Sequence, residues 1–161
     1  MTGKRILVAG VGNVLLGDDG FGVEVVRRLR ERGAARAAEV RDFGIRGQDL
    51  ALALLDGWDA VVLVDAARRG KQPGTLSVLE PQPGRAVALA GHALDPASVL
   101  ATARAMGGRV GRLRLVACEP EAVPAEDEDL KMGLSPLLAA CVDPACAIVE
   151  SLIVQVEVEH A

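Results

Sequence analysis

Arg5-Ile6-Leu7-Val8-Ala9-Gly10-Val11-Gly12-Asn13-Val14-Leu15-Leu16-Gly17-Asp18-Asp19-Gly20-Phe21-Gly22 is the stretch from which the fold is read. Arg5 to Ala9 is a short apolar run closed by Gly10, and Phe21, Val25 and Leu29 then recur at helical spacing as far as Gly33. The pattern predicts a strand, a glycine-rich loop and a helix. Working outward, Val40 can form a second short strand, Gln48 to Leu55 a helix, and Ala60 to Val64 a fully buried strand ending at Asp65. The alternation predicts an α/β fold. Only about ten residues separate Asp65 from the next strand-like run, Thr75 to Leu79, and a parallel crossover needs about a dozen or more, so that strand is expected to run antiparallel. A helix is expected from Asp95-Pro96 to Met106, and a buried strand from Leu113 to Ala117. Ser135-Pro136 and Asp143-Pro144 each combine a cap with a first-turn proline, which predicts a short helix followed by a longer one.

The chain has 161 residues, half of them apolar, which is enough to build one buried core, so one domain spanning 1–161 is expected. The formal net charge is -4 and the 18 basic residues are scattered rather than gathered into a stripe. Phe21, Phe43 and Trp58 are the only aromatic residues, leaving little on which bases could stack. Nucleic acid is therefore not an expected partner. Apolar runs are short of a membrane span and no signal-peptide pattern follows Met1, so no membrane partner is expected either. Cys118, Cys141 and Cys146 are odd in number and lack C-x-x-C spacing, which fits core thiols in a reducing compartment. The acidic stretch Glu126 to Asp129 is expected to be a solvated loop.

The glycines of the first loop invite comparison with a dinucleotide fingerprint. That fingerprint wants a third glycine where Leu15 stands, and Asp18 and Asp19 occupy the place where a pyrophosphate would dock. One of the two could cap the helix; the other is then left as a carboxylate at the carboxyl edge of a strand, where α/β sheets build their sites. Asp65 ends its strand at the same edge if that strand is parallel to the first, where it is either a loop cap or a site residue. His92 follows a segment of about eleven residues that could extend roughly 35 Å and return it to that edge. Two carboxylates and an imidazole suit a borderline divalent ion such as nickel or zinc, and three ligands leave positions open for polarising a carbonyl or acidifying a water. No H-E-x-x-H or G-x-S-x-G is present. Two other readings stand beside the metal site: a cysteine hydrolase using Cys118 and His92, and a non-catalytic α/β module binding a nucleotide or a metal-bearing partner.

The run Gly10-x-Gly12-Asn13-x-Leu-Leu-x-Asp18-Asp19-Gly20-x-Gly22 resembles the N-terminal signature of the hydrogenase maturation endopeptidases. Further landmarks follow in order: Asp42-Phe43-Gly44-Ile45-Arg46-Gly47, Val64-Asp65-Ala66, Pro73-Gly74-Thr75, Gly91-His92, Cys118-Glu119-Pro120-Glu121 and Gly133-Leu134-Ser135-Pro136. The resemblance implies a single three-layer α/β domain of the phosphorylase/hydrolase-like kind, with a mixed, mostly parallel, twisted five-stranded sheet flanked by helices. It implies a metal-ligand and catalytic set that falls on Asp19, Asp65 and His92, with Asp19 chosen over Asp18 by the family pattern. It also implies a cytoplasmic endopeptidase that acts on a nickel-iron hydrogenase large-subunit precursor, removing its C-terminal extension after nickel insertion. Nickel would be supplied largely by that substrate, and another divalent ion could take its place in vitro. Many relatives carry Asp-Gly-Gly-Thr-x-Gly in the second loop, and the departure here makes Asp42, Gly44 and Gly47 the expected substrate-selecting residues; turn geometry is the competing explanation for the two glycines.

Overall fold

The computed structural model describes residues 3–81, 96–125 and 127–159; His92 and Asp95 lie outside the described residues. The elements in chain order are β1 (Ile6–Val11), α1 (Phe21–Glu31), β2 (Glu39–Gly44), α2 (Gly47–Ala53), β3 (Trp58–Ala66), β4 (Leu76–Leu79), α3 (Pro96–Ala105), β5 (Val110–Cys118) and α4 (Pro136–Val158). The five strands form one sheet in the order β2-β1-β3-β5-β4. The first four are mutually parallel, and β4 runs antiparallel to β5, as the short connection after Asp65 requires.

Period-2 alternation divides the inner strands between two cores. Ile6, Val8, Val62, Val64 and Val116 face one side, where α1 and α4 contribute Phe21, Val25, Leu29, Leu138, Cys146 and Val149. Leu7, Ala9, Val61, Leu63 and Leu115 face the other, where α2 and α3 contribute Leu50, Ala53, Leu100 and Ala103. Because β1 and the middle of β3 are covered on both faces, Ile6–Val11 and residues 60–64 are apolar without alternation. Each fully buried Phe, Leu or Val side chain contributes about 1.5–3 kcal/mol. Gly22 lets α1 lie close against the sheet: a Cβ there would stand 2.0 Å from the Val64 carbonyl oxygen and 2.5 Å from that of Val11.

The chain leaves β1 for β2 on one side and returns to β3 on the other, so the carboxyl ends of β1 and β3 flank the topological switch point, where α/β sheets open a crevice. The two-helix expectation for the C-terminus is overturned. Residues 136–158 form one helix with Pro144 inside it, and Asp143, rather than capping a second helix, pairs with Arg28 at 2.9 Å. An interior proline costs about 3 kcal/mol. Leu138 and Val142 before it and Ala145, Cys146 and Val149 after it form one continuous buried stripe, whose burial outweighs that cost. As one element α4 is long and apolar enough to cross a membrane by length and composition alone, with 23 residues and an 18-residue window of mean hydropathy 2.0. Asp143 and Glu150 nevertheless break its uncharged runs, as the sequence leads one to expect. Its stripe is packed into the core with α1.

Candidate active site

The loop after β1 closes through a 3-10 turn, Gly17–Gly20, before α1 begins. Neither aspartate caps that helix: its N-cap is Gly20, with no side-chain cap bond. Asp19, 1% exposed, turns back into the loop and accepts the Asn13 amide at 2.8 Å through Oδ2. Gly12 packs against the Asp19 backbone beside the Asp65 carboxylate, for a Cβ on it would stand 1.9 Å from the Asp19 carbonyl oxygen and 3.2 Å from Oδ1 of Asp65. Its φ of +133° is a conformation that only glycine adopts readily.

Asp65 is the penultimate residue of β3, buried at 3% exposure, and accepts the Ala66 amide at 2.7 Å. Burial pushes its carboxyl well above the ordinary range, the Asp19 charge pushes it further, and the Ala66 amide acts against both. Asp19 and Asp65 thus meet at the carboxyl ends of β1 and β3, on the switch point. Among the described residues no third His, Cys, Asp or Glu completes a metal-holding group with them. His92, the expected third ligand, lies outside the described residues.

The second-loop candidates sit beside this pair. Gly44 ends β2 with φ +52°, as the turn-geometry reading expects, and its carbonyl accepts the Gly12 amide at 2.9 Å. Asp42 is exposed on the same strand end and Gly47 opens α2. The Gly17–Gly20 turn also forms one wall of a surface cleft of about 490 Å³, lined by Val14, Gly17 and Gly20 on one side and Met132, Gly133 and Leu134 on the other. Val14 and Met132 are largely exposed there.

Sequence reasoning left Asp18 without a role, and the structure supplies one. It is fully buried, and its carboxylate accepts four hydrogen bonds: from the amides of Glu121 (2.9 Å), Ala122 (2.7 Å) and Ser135 (2.7 Å), and from the Ser135 hydroxyl (2.9 Å). Ser135 keeps its expected cap role as well, its Oγ accepting the Leu138 amide at 3.4 Å with Pro136 in the first turn. Glu119, another buried carboxylate, accepts the Arg69 amide at 2.8 Å and so anchors the chain leaving β3.

Both competing chemistries fit the geometry poorly. The loop amides that a pyrophosphate would need are already donated: Asn13 to Asp19, Gly17 to the Lys131 carbonyl at 2.7 Å, Asp18 to that of Ala122 at 2.9 Å, and Asp19 to that of Leu16 at 3.1 Å. Cys118 is fully buried, and burial first, then neighbouring Cys141, hold its thiol far above its ordinary range, the opposite of an activated nucleophile. Cys146 is likewise pushed up to about 11 by burial.

The profile of the hydrogenase maturation protease family matches residues 23–152. The chain is 36% identical over 149 residues to the hydrogenase expression/formation protein HupD of Rhodobacter capsulatus, covering 89% of this chain and 69% of that one. It is 34% identical over 146 residues to the hydrogenase 2 maturation protease of Escherichia coli, covering 88% and 85%. The solved structure of the hydrogenase maturating endopeptidase HybD from E. coli superposes with a TM-score of 0.75 at 29% identity, over 94% of this chain and 93% of that one. With the mixed-sheet fold shared over nearly its whole length, this chain belongs to the hydrogenase maturation proteases and is a peptidase.

Proposed function

We propose that this peptidase removes a C-terminal extension from a nickel-iron hydrogenase large-subunit precursor once nickel has been inserted, and that Asp19, Asp65 and His92 engage the nickel that the substrate carries. The observation that carries the reading is the buried carboxylate pair. Asp65 is driven toward its protonated form by burial and by the charge of Asp19. A cation brought by the substrate would reverse that balance, since a metal ion is the largest local charge in such a site and favours both ionised carboxylates.

Nickel is substrate here rather than a resident cofactor, and in vitro another divalent ion could occupy the same ligands. When bound, it supplies positive charge that can polarise a neighbouring carbonyl. The chain's own residues supply the rest. The Asn13 amide orients Asp19, the Ala66 amide orients Asp65, and Gly12, having no Cβ, lets the loop close on the Asp19 backbone beside the Asp65 carboxylate. Asp42, Gly44 and Gly47 line the neighbouring strand end and are assigned to precursor selection. The cleft along the Gly17–Gly20 turn offers the apolar surface that an extended peptide needs. The thiols fit a reducing compartment, in keeping with a cytoplasmic reaction.

Such a site makes cleavage conditional on metal insertion, because a precursor without the ion offers the two carboxylates no favourable contact. The test is to incubate the purified protein with its cognate precursor in nickel-loaded and nickel-free forms. Trimming of the loaded form alone supports the proposal; equal trimming of both overturns the nickel requirement.

A further inference from the structure

We infer that Asp18, which does not reach the candidate metal side of the loop, is a positioning residue that fixes Asp19 by clamping the first loop to the C-terminal half of the chain. The inference rests on the proposed role of Asp19 and extends it to a neighbour. Asp18 and Asp19 are consecutive in the Gly17–Gly20 turn, and their side chains serve opposite sides of it. The Asp19 carboxylate accepts the Asn13 amide and lies close enough to Asp65 for its charge to act there. Asp18 faces four donors from three residues, Glu121, Ala122 and Ser135, that lie 103 to 117 positions away in sequence, Ser135 giving both its amide and its hydroxyl.

Four donors saturate the acceptor capacity of one carboxylate. Oδ2 takes Glu121, Ala122 and the Ser135 hydroxyl, while Oδ1 takes the Ser135 amide. The backbone runs alongside the same junction, the Asp18 amide donating to Ala122 and the Gly17 amide to Lys131. If the carboxylate is lost, donors on two separate segments lose their acceptor together: the part-buried amides of Glu121 and Ala122, and the buried amide and hydroxyl of Ser135. The Ser135 donors can be satisfied only if the segments part and admit water, which moves the turn that holds Asp19. An isosteric Asn cannot substitute. It has one oxygen for the three Oδ2 donors and turns an NH2 toward the Ser135 amide, setting donor against donor.

The Asn13 amide reports on the position of Asp19, because Asp19 is its acceptor. Amide hydrogen exchange is therefore measured on wild type, Asp18→Asn and Ser135→Ala, with the Val8 amide of β1 as the internal standard for overall stability. In Asp18→Asn the Asn13 amide is expected to exchange about tenfold to a hundredfold faster relative to Val8. In Ser135→Ala, which removes one of the four bonds, the expected factor is about three, and this variant carries the test alone should Asp18→Asn not fold. On nickel-loaded precursor, at a temperature where the variant is folded, kcat falls about tenfold or more while KM stays within about threefold. If Asp18 were only structural, Asn13 and Val8 would change together and kcat per folded molecule would not move; either result overturns the inference. If wild type itself leaves the precursor intact while the Asn13 effect appears, the clamp stands and it is the proposed function that fails.

Discussion

Replacing Gly12 by Ala tests the geometry of the site at its tightest point. The new Cβ would lie 1.9 Å from the Asp19 carbonyl oxygen, so the two loop segments must separate by more than about 1 Å before the contact becomes tolerable. Holding Ala at φ +133° adds about 1–3 kcal/mol of backbone strain, and relieving the clash adds about 1–3 kcal/mol more. The expected loss is about 2–6 kcal/mol, centred on about 4, out of a total stability on the order of 5–15 kcal/mol. Gly33→Ala is the matched control. Gly33 also has a positive φ, +84°, but nothing lies within 4 Å of its Cβ position, so it should cost only about 1–2 kcal/mol. Urea unfolding followed by circular dichroism gives both values, and with a slope of about 2 kcal/mol/M the Gly12 midpoint should fall by about 2 M. Cleavage of loaded precursor by the folded Gly12→Ala protein should fall about a hundredfold, since displacing Asp19 by an ångström is enough for that. A Gly12→Ala protein no less stable than Gly33→Ala, or fully active, would refute the close packing of Gly12 against the Asp19 backbone.

Asp65→Asn should stabilise the metal-free protein by about 1 kcal/mol at pH 7 while abolishing cleavage, the usual trade between a strained site and its function. The sign follows from linkage: the folded pKa lies above the ordinary 3.8, so the penalty for ionised Asp65 is complete above the folded pKa. The advantage of the variant should shrink as pH falls through that value and vanish below 3.8, and unfolding curves across pH check it. Cys118→Ala should keep cleavage within about threefold of wild type while costing about 1 kcal/mol for the small cavity left in the core, measurable by activity and urea unfolding side by side. Pro144→Ala, at an exposed position inside α4, should raise stability by about 1–3 kcal/mol because it restores an interior amide; an unchanged urea midpoint would contradict the continuous helix.

What could be read in advance was local or periodic. The β1-loop-α1 unit, the parallel β3, the reversed β4 and the Ser135-Pro136 helix start all follow from spacing, turn residues or connection length. The carboxylate pair was legible as a candidate for the same reason, since Asp65 stands at the end of an apolar strand and Asp19 in the glycine-rich loop that follows β1. Pro144 misled because a local stop signal was outweighed by a core stripe that exists only once α1 and the sheet are in place. Asp18 could not be interpreted at all from the sequence. A buried carboxylate and a helix cap look alike there, and the donors that distinguish them come from more than 100 positions away. Gly12 was visible as a loop glycine, but its packing against the Asp19 backbone beside Asp65 is a tertiary fact.

The central claim is that Asp19, Asp65 and His92 make a metal-conditional peptidase. The most direct test follows the mass of a nickel-loaded cognate precursor incubated with wild type, Asp19→Asn, Asp65→Asn and His92→Ala. Wild type should release one C-terminal fragment, and each variant, folded by circular dichroism, should release none over the same period. Release of the fragment at the wild-type rate by any of the three variants would contradict the central claim.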